Sequence, residues 1–488
     1  MAERPNILLM VSDQHSGQVM GCAGDDLVRT PHLDSLAGRG VIFDACHCAA
    51  PLCVPSRMTM LTGRHCSDIE VWTNHCQLPS HAPTFAHALG AVGYETVLCG
   101  RMHFVGPDQR HGFHRRIMGE LSDHRFPGGP VADLGEIPLA STGQCRTAVE
   151  VAGPGRTSYQ AYDEAVAQTA AGFLRQRAER DDRRPFLLTA GFVLPHCPFI
   201  APSELYEYYH ERIDVPELPE GYLDGLHPAM KAWREARGIT DLTDAEIRAA
   251  RAGYYGIVEH FDGIVGGLMA AVEECGLAEE TVVIYVSDHG ESAGRNGLWW
   301  KSQFYDHSVR VPMIVAGPGL PACRRRREVV SLLDLAPTLT DLAGAARMPA
   351  ISGQSLLPLV RDELPARWRD EAIAEMIGIG PHYPYPGRMV RQGPWKLMHY
   401  EDCEPLLFNL DEDPNEFEDR AGDPQCREVR EYLHDRARWG WDPDAAMRRV
   451  GQRVRDARLI RDWREAWEGA PDSIDHWPAP EGVNVWPG

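Results

Sequence analysis

Short apolar runs that end in polar or turn residues recur along the N-terminal two thirds of the chain. They have the length and the continuous apolar character of strands in a parallel sheet that is buried on both faces. Helical patterns lie between them, at Thr84–Val92, Ser158–Glu179 and Ala249–Cys275. Strands that alternate with helices are typical of a doubly wound α/β domain. The predicted strands are Asn6–Val11, Tyr94–Cys99, Phe186–Val193 and Thr281–Val286.

The pattern changes after residue 368. Short apolar segments separated by Gly-Pro and acidic turns predict a small antiparallel sheet, and Arg-rich helical sequence follows at Glu428–Trp467. We therefore predict an α/β domain over residues 1–368, with a large doubly wound mixed sheet and helices on both faces. A smaller α+β subdomain is predicted over residues 369–488. Its predicted strands are Met389–Arg391, Trp395–His399 and Leu406–Leu410.

Charge narrows the classes of ligand. The chain has 70 Asp and Glu against 49 Lys and Arg, which leaves a formal charge of -21. A field of that sign repels a phosphate backbone, so we expect no general nucleic-acid binding. A metal ion or a few cations can still reverse the potential locally for a small anionic substrate. The basic run Arg324–Arg327 is predicted to be a solvated loop, with a binding patch as the alternative.

Compartment and assembly are also predicted. No run of about 18 apolar residues occurs, so we expect no membrane span. The first residues lack the long apolar core of a secretory signal, and the 13 cysteines are scattered. We interpret them as reduced thiols of a cytoplasmic protein. Trp477 and Trp486 in the C-terminal tail favour packing on a second copy, hence a homo-oligomer.

Polar side chains follow each of the four predicted strands. In open α/β sheets, ligands bind beyond the carboxyl ends of the strands, so these groups are expected to meet at one edge. Each of them, taken alone, is more often a cap, a turn or a satisfied polar residue, but four such strand ends together favour a site. The side chains, in chain order, are Asp13, Gln14, Arg101, His103, His196, Asp288 and His289.

Some of these side chains are suitable metal ligands. Asp13 and Asp288 offer hard oxygens, Gln14 offers a carbonyl and His289 an imidazole. This set suits Ca²⁺, Mg²⁺ or Mn²⁺ better than zinc. A structural zinc site is the alternative, but its candidate ligands lack paired CxxC spacing. Those ligands would be Cys46, Cys48, Cys66, Cys76, His47, His65 and His75.

The segment Leu52–Arg64 (LCVPSRMTMLTGR) places a cysteine before a predicted helix. Pro55 fits the first helical turn, where its missing N–H costs nothing. Cys53 would then lie beside a helix N-terminus that stabilises anions, with Arg57 one turn further on. The residues alone indicate either a nucleophilic cysteine of low pKa or a buried cysteine without a role in catalysis.

Cys-x-Pro-Ser-Arg followed by Leu-Thr-Gly-Arg resembles the signature of the sulfatase family, in the alkaline-phosphatase-like superfamily. Within it, the chain looks most like the choline-sulfatase and phosphonate monoester hydrolase branch. The resemblance covers most of the chain, and the order and spacing of the blocks agree. The other matching blocks are RPNILLMVSDQ, TPHLDSLAGRGVIFD, GRMHFVGPDQRHGF, LPHCPF, SDHGE, GLWWKSQFYDHSVRVPMIV and FNLDEDPNEFED.

The resemblance implies a sulfuric ester hydrolase. In that family the motif cysteine is oxidised to Cα-formylglycine, whose hydrate is the nucleophile, so a maturing enzyme is an implied partner. Metal coordination falls to Asp13, Gln14, Asp288, His289 and modified Cys53, with Ca²⁺ favoured over Mn²⁺ or Mg²⁺. The remaining implied roles are Arg57 for the formylglycine hydroxyl, His103 for the hydrate, Lys301 and His196 for sulfate oxygens, and Asn74 for the metal or substrate.

Two positions depart from the family pattern. The family block Gly-Lys-x-His has Arg101 here, which retains the charge but cannot release a proton. Arg101 is therefore expected to clamp substrate oxygens, while His196 is the first candidate for the general acid and Lys301 the second. A choline substrate would need an aromatic and acidic cage, for which only Glu375 is a candidate. An ordinary strand-end carboxylate is the competing interpretation of Glu375.

The leading hypothesis is hydrolysis of sulfate monoesters to sulfate and an alcohol or phenol. Three alternatives stay open. The same fold can hydrolyse phosphonate monoesters or phosphodiesters, since sulfuryl and phosphoryl groups are nearly isosteric. The protein can be a non-catalytic metal-binding relative, for which Arg101 would be the clue. Finally, Cys53 can act as a thiolate nucleophile with a nearby histidine.

Overall fold

A computed structural model describes residues 4–121, 143–182, 184–363, 368–378 and 385–466. The predicted tail with Trp477 and Trp486 lies outside these residues, so homo-oligomer assembly stays a prediction. The strands are β1 (Asn6–Ser12), β2 (Gly40–Phe43), β3 (Cys46–His47), β4 (Glu95–Gly100), β5 (Arg115–Met118), β6 (Gly153–Pro154), β7 (Phe186–Gly191), β8 (Ile200–Ala201), β9 (Thr281–Ser287), β10 (Met313–Ala316), β11 (Arg324–Arg326), β12 (Val330–Ser331), β13 (Glu371–Met376), β14 (Gly387–Gln392), β15 (Trp395–Tyr400) and β16 (Leu406–Asn409).

The helices alternate with the strands of the N-terminal part. They are α1 (Pro31–Gly38), α2 (Cys53–Thr62), α3 (Cys66–Ile69), α4 (Phe85–Ala91), α5 (Thr147–Glu150), α6 (Ser158–Ala178), α7 (Ser203–His210), α8 (Pro228–Arg237), α9 (Asp244–Glu274), α10 (Asp306–Val309), α11 (Leu335–Leu342), α12 (Leu357–Val360), α13 (Arg427–Arg438) and α14 (Pro443–Ala466).

The four predicted strands form the centre of an eight-stranded sheet with the order β11-β2-β10-β9-β1-β7-β4-β5. Strand β1 pairs in parallel with β9 and β7, and β4 pairs in parallel with β7. Strand β10 runs antiparallel to both of its neighbours, which makes the sheet mixed, as predicted. The apolar run of β1 is buried along its whole length because helices flank the sheet.

Helix α9 begins earlier than its apolar pattern predicts. The hydrophobic stretch indicates a start near Ala249, but the helix begins at Asp244. Thr243 accepts a hydrogen bond from the backbone N–H of Glu246, whose carboxylate bonds back to the N–H of Thr243. This capping box satisfies the free N–H groups of the first turn, so the helix extends into polar sequence.

The C-terminal antiparallel sheet is present with one strand more than predicted. Strands β14, β15 and β16 correspond to the predicted strands, and β13 adds an edge strand in the order β13-β14-β15-β16. Helix α13 packs on this sheet through Leu433 and Ala437. The proposed division after residue 368 stays a prediction.

The predicted loop at Arg324–Arg327 is wrong for its first three residues. They form edge strand β11, which pairs in parallel with β2. Backbone pairing stabilises the strand, and the charge of its side chains is carried by ion pairs such as Arg326 with Asp362. Charged side chains on an edge strand also discourage pairing with another chain. No helix among the described residues is long and apolar enough to cross a membrane.

Candidate active site

The ends of β1 and β9 and the start of α2 bring three predicted segments together. The Cys53 Sγ lies 3.6 Å from Asp13 Oδ1 and 3.2 Å from His289 Nε2. His289 Nε2 lies 3.4 Å from Asp288 Oδ1. One ligand atom from each of these four residues lies within 4.8 Å of the others, and all four residues are buried.

Backbone register explains why the two carboxylates meet. Ser12 of β1 lies opposite Ser287 of β9, so the residues that follow, Asp13 and Asp288, leave the sheet side by side. The backbone N–H of His289 donates to Asp288 Oδ1 at 2.8 Å. The ring N–H at His289 Nδ1 donates to the carbonyl of Gly290 at 3.1 Å. This tautomer directs the lone pair of Nε2 toward the cluster, as a metal ligand requires.

Cys53 is the first residue of α2, and Pro55 lies in its first turn, as predicted. Asn74 Oδ1 accepts a hydrogen bond from the N–H of Val54 at 2.9 Å, so it caps this helix. Burial raises the pKa of the Cys53 thiol, but Lys301 and His289 outweigh burial and hold the pKa well below its usual range. The helix start therefore presents a group that carries negative charge easily.

Lys301 reaches the same point from the segment after β9. Its ammonium donates to Gln14 Oε1 at 2.6 Å and to Cys53 Sγ at 3.2 Å. Burial disfavours the ammonium form, but Cys53 and Asp13 outweigh burial and raise the pKa of Lys301. Lys301 is thus a cation at neutral pH, aimed at the nucleophile position.

Arg57 binds the two carboxylates. Its Nε donates to Asp288 Oδ2 at 2.8 Å and its Nη2 to Asp13 Oδ2 at 3.3 Å. Other N–H groups of Arg57 donate to backbone carbonyls, including that of Arg101 at 3.0 Å. The bonds to the carboxylates hold Asp13 and Asp288 in position, and the bonds to the carbonyls fix the guanidinium itself. The implied contact of Arg57 with a formylglycine hydroxyl stays a prediction.

Arg101 connects Asp13 with His103. Its Nε donates to Asp13 Oδ2 at 2.9 Å, and its Nη2 lies 2.9 Å from His103 Nδ1. Because a guanidinium only donates, His103 Nδ1 accepts and His103 Nε2 carries the ring proton. Burial raises the pKa of Asp13, but Arg101 and Lys301 outweigh burial and hold it below its usual range. The arginine in place of the family lysine thus serves as an ion-pair partner.

His196 joins the cluster from the loop after β7. Its Nδ1 donates to the carbonyl of Cys197 at 2.6 Å, so Nε2 is the atom that gains or loses a proton. His196 and His103 both interact with the sulfur of Cys53 and favour its thiolate. Tyr159 packs edge-on against the His196 ring, with 6.0 Å between centroids.

The residues at this edge fit a divalent ion. Two carboxylates, one imidazole and the group at position 53 converge, and the Gln14 carbonyl lies beside them, on Lys301. Oxygen-rich sets of this kind suit Ca²⁺, Mg²⁺ or Mn²⁺. Within the described ranges this is the only such group, so the alternative zinc set of cysteines and histidines is not brought together.

A sulfatase family model matches residues 5–345, and a model of the N-sulphoglucosamine sulphohydrolase C-terminal region matches residues 294–439. The chain belongs to the sulfatase family. Its relatives include choline-sulfatase of Rhizobium meliloti (strain 1021), 31% identical over 443 residues that cover 86% of this chain and 83% of the relative. Arylsulfatase K of Mus musculus is 29% identical over 444 residues, covering 85% of this chain and 75% of the relative.

Solved structures show the same fold. The phosphonate monoester hydrolase of Agrobacterium radiobacter superposes with a TM-score of 0.72 at 24% identity, covering 89% of this chain and 94% of that chain. These findings confirm the alkaline-phosphatase-like architecture. Family membership also confirms the predicted enzyme class, a sulfuric ester hydrolase.

Three carboxylates, of which Glu291 and Asp163 are buried, support the sulfatase site and were not predicted. Glu291 accepts from Gln14 Nε2 at 2.5 Å and thereby orients the Gln14 amide. Glu120 accepts from the N–H of His103 at 2.8 Å. Asp163, on α6, accepts from the N–H of Leu194 at 2.8 Å and so anchors the loop that carries His196. Only Glu291 had a sequence signal, as the last residue of the SDHGE block.

Glu375 is unavailable to a substrate cation. It is 1% exposed, lies 2.7 Å from Arg388 Nη2 and accepts from the Ser67 hydroxyl at 2.7 Å. The carboxylate is therefore already neutralised inside the protein. The structure favours the interpretation of Glu375 as a structural carboxylate near the end of β13.

Proposed function

We propose that this sulfatase hydrolyses sulfate monoesters through a Cα-formylglycine derived from Cys53. The observation that carries the proposal is the convergence of Cys53, Asp13, Asp288 and His289 within 4.8 Å of one another, with Lys301 at 3.2 Å from the sulfur. Hydrated formylglycine would supply the nucleophilic oxygen at this position, and its second hydroxyl would allow release of sulfate. A divalent ion held by Asp13, Gln14, Asp288, His289 and residue 53 would lower the pKa of that hydroxyl and offset the charge of the ester.

The protein groups around position 53 would bind the sulfate. Lys301 supplies a charged donor, and His103 supplies the N–H at Nε2 that its bond with Arg101 dictates. Both are buried and already oriented, so they can stabilise charge on the sulfate oxygens without reorganising. Arg57 would act through Asp13 and Asp288, whose oxygens it holds. Asn74 would act through the helix start that it caps.

The departing alkoxide needs a proton. His196 is the proposed general acid, since its Nδ1 is committed to the Cys197 carbonyl and Nε2 is left as the titrating atom. Lys301 is the second candidate. Arg101 cannot take this role because a guanidinium does not release a proton, which is consistent with its use as the partner of Asp13.

Mass spectrometry of the peptide that contains Cys53, from enzyme purified from its native host, tests the nucleophile. Formylglycine or its hydrate is expected in active enzyme. Active enzyme with only an unmodified thiol would contradict the proposal, and rapid inactivation by iodoacetamide would then support the thiolate alternative. Retained hydrolysis in Cys53→Ala would contradict both, while the control Cys426→Ala, just before α13, should leave turnover unchanged.

Kinetic measurements on the same purified enzyme distinguish sulfate ester hydrolysis from phosphonate ester hydrolysis. We expect a higher kcat/KM for aryl sulfate than for the matched aryl phosphonate ester. The opposite ranking would assign the enzyme to phosphonate or phosphodiester hydrolysis. The absence of all hydrolysis, with Asp288→Ala altering metal binding, would support the non-catalytic alternative.

The proposed cofactor follows from the donor atoms of the site, and the proposed compartment follows from the cysteines. Ca²⁺ is the first candidate because oxygen donors dominate the site, and metal analysis of native enzyme tests this against Mn²⁺ and Mg²⁺. We also propose a cytoplasmic location, where reducing conditions would keep the cysteines other than Cys53 as thiols. If cell fractionation of the native host finds the enzyme outside the cytoplasm, the proposed location is wrong.

A further inference from the structure

A second charged site lies in a cleft of about 320 Å³ between the edge of the main sheet and the C-terminal sheet. We call it the arginine cleft, defined by Arg310, Arg325, Arg327 and Arg391. It contains none of the proposed catalytic residues. Strand β11 lies four positions from β1 in the sheet. Strands β2, β10 and β9 thus lie between β11 and β1.

Strand geometry selects which basic residues enter the cleft. Side chains alternate between the two faces of a strand, so Arg325 and Arg327 point to one side and Arg324 and Arg326 to the other. Arg325 and Arg327 line the cleft, whereas Arg324 and Arg326 pair with Asp362 outside it. The basic run therefore divides into a paired half and a half that faces the cleft.

The cleft has more positive than negative charge. Four arginines and three aspartates line it. Asp44 is paired with Arg325, and Asp306 is shared between Arg310 at 3.8 Å and the buried Lys396 at 2.7 Å. Arg327 and Arg391 form no ion pair within the described part of the chain. This excess stands out in a chain with a formal charge of -21.

Arg391 is a buried cation of the cleft, and the carboxylates of Asp306, Glu416 and Asp411 partly offset the cost of burying its charge. It is 8% exposed, and its Nη1 donates to the carbonyl of Pro394 at 2.8 Å. Its Nε is buried and has no hydrogen-bond partner among the described residues. Leaving a buried charged group incompletely bonded is costly, so a ligand that accepts from the Nη2 donors of Arg391 would stabilise it.

We propose that the arginine cleft binds a tetrahedral dianion, of the sulfate or phosphate class, through Arg391 and Arg327. The planar donors of a guanidinium match two oxygens of such an anion, and Arg327 at the rim adds a second cation. The anion is either free in solution or part of a larger sulfated molecule. It binds in addition to the ester at the catalytic centre.

Isothermal titration with sodium sulfate at constant ionic strength tests the site. Wild-type enzyme is expected to show a binding event that weakens about tenfold or more in Arg391→Gln, because a charged hydrogen bond is lost. Turnover of a small aryl sulfate at saturation should not change. The matched control is Arg324→Gln, on the same strand but outside the cleft, which should bind sulfate as wild type does.

Arg327→Gln is a second test variant, chosen because replacing this exposed residue should not disturb folding. Arg327 is exposed and unpaired among the described residues, so its replacement should preserve the melting temperature while weakening the same binding event several-fold. Unchanged sulfate binding in both Arg391→Gln and Arg327→Gln would overturn the proposal. A sulfated oligosaccharide that gains affinity over inorganic sulfate only when Arg391 is present would identify the larger source, and equal affinities would identify the free anion.

Discussion

Glu291→Gln tests whether the hydrogen bonds behind the proposed metal ligand Gln14 contribute to metal binding and turnover. Glu291 accepts three hydrogen bonds, from Gln14 Nε2 at 2.5 Å and from the backbone N–H groups of Ala293 at 2.7 Å and Trp300 at 2.6 Å. A glutamine can keep Oε1 for the two backbone donors but places an NH₂ group against Gln14. The Gln14 amide must then rotate, which turns its own NH₂ group toward Lys301.

The structure sets the size of this effect. The variant loses one charge-assisted hydrogen bond, about 1.5–3 kcal/mol, in a buried place that water cannot refill. This corresponds to about 10–100-fold, the range observed when partners of metal ligands are replaced. We expect kcat/KM for aryl sulfate and the affinity for Mn²⁺ to fall by this factor, with Gly290 and His289 unmoved.

Steady-state kinetics and calorimetric Mn²⁺ titration measure the two quantities, and thermal unfolding shows that the variant folds. The matched control is Glu431→Gln, which removes exposed pairs with Arg427 and Arg430 and should change neither quantity. If Glu291→Gln folds and retains wild-type metal affinity and kcat/KM, Gln14 is not held through Glu291 and the reasoning is refuted.

Three further predictions concern stability. Burial raises the pKa of Asp163 to about 8, so the folded protein holds a proton that the unfolded chain releases between about pH 4 and 8. In denaturant titrations the wild type should therefore lose stability relative to Asp163→Asn as pH rises through this range. A stability difference that does not change with pH would contradict this. Arg388→Met leaves Glu375 buried and unpaired, so unfolding free energy should fall by about 3–5 kcal/mol, against no measurable change for Arg427→Gln. Chelation of the metal should lower the melting temperature. If the ion was present at 100 times its Kd, the lost stabilisation is about 2.7 kcal/mol of unfolding free energy. A melting temperature that chelator does not change would argue against the ion site.

The local pattern of apolar and polar residues was sufficient to predict the central strands of the sheet and the polar side chains at its edge. The strands β1, β4, β7 and β9 are short apolar runs because both faces are buried, and this makes them visible without an alignment. Parallel strands deliver the residues after their ends to one edge, which is why Asp13, Arg101, His196 and Asp288 could be grouped in advance. Strand β13 and the early start of α9 depended on edge pairing and capping, which apolar periodicity does not report.

The roles of individual side chains depended on contacts between distant segments. The resemblance assigned Arg57 to the formylglycine hydroxyl, which stays a prediction, and the structure shows in addition that its donors are bonded to Asp13 and Asp288. Glu375 appeared able to meet a substrate cation, yet Arg388 neutralises it. Asp288 is 231 positions from Arg57, and Arg388 meets Glu375 only because β13 and β14 pair in that register. A charge pattern along the chain does not show which opposite charge is nearest in space.

The sequence alone therefore determined the class of fold, the family and the edge at which the chemistry gathers, because these follow from local burial patterns and from closely spaced motifs. Tertiary structure decided which donor meets which acceptor: Glu291 behind Gln14, Arg101 between Asp13 and His103, and Arg391 on the carbonyl of Pro394 beside its cleft. Hydrogen bonds and ion pairs act over a few ångströms, and only the folded chain brings residues separated by hundreds of positions within that distance.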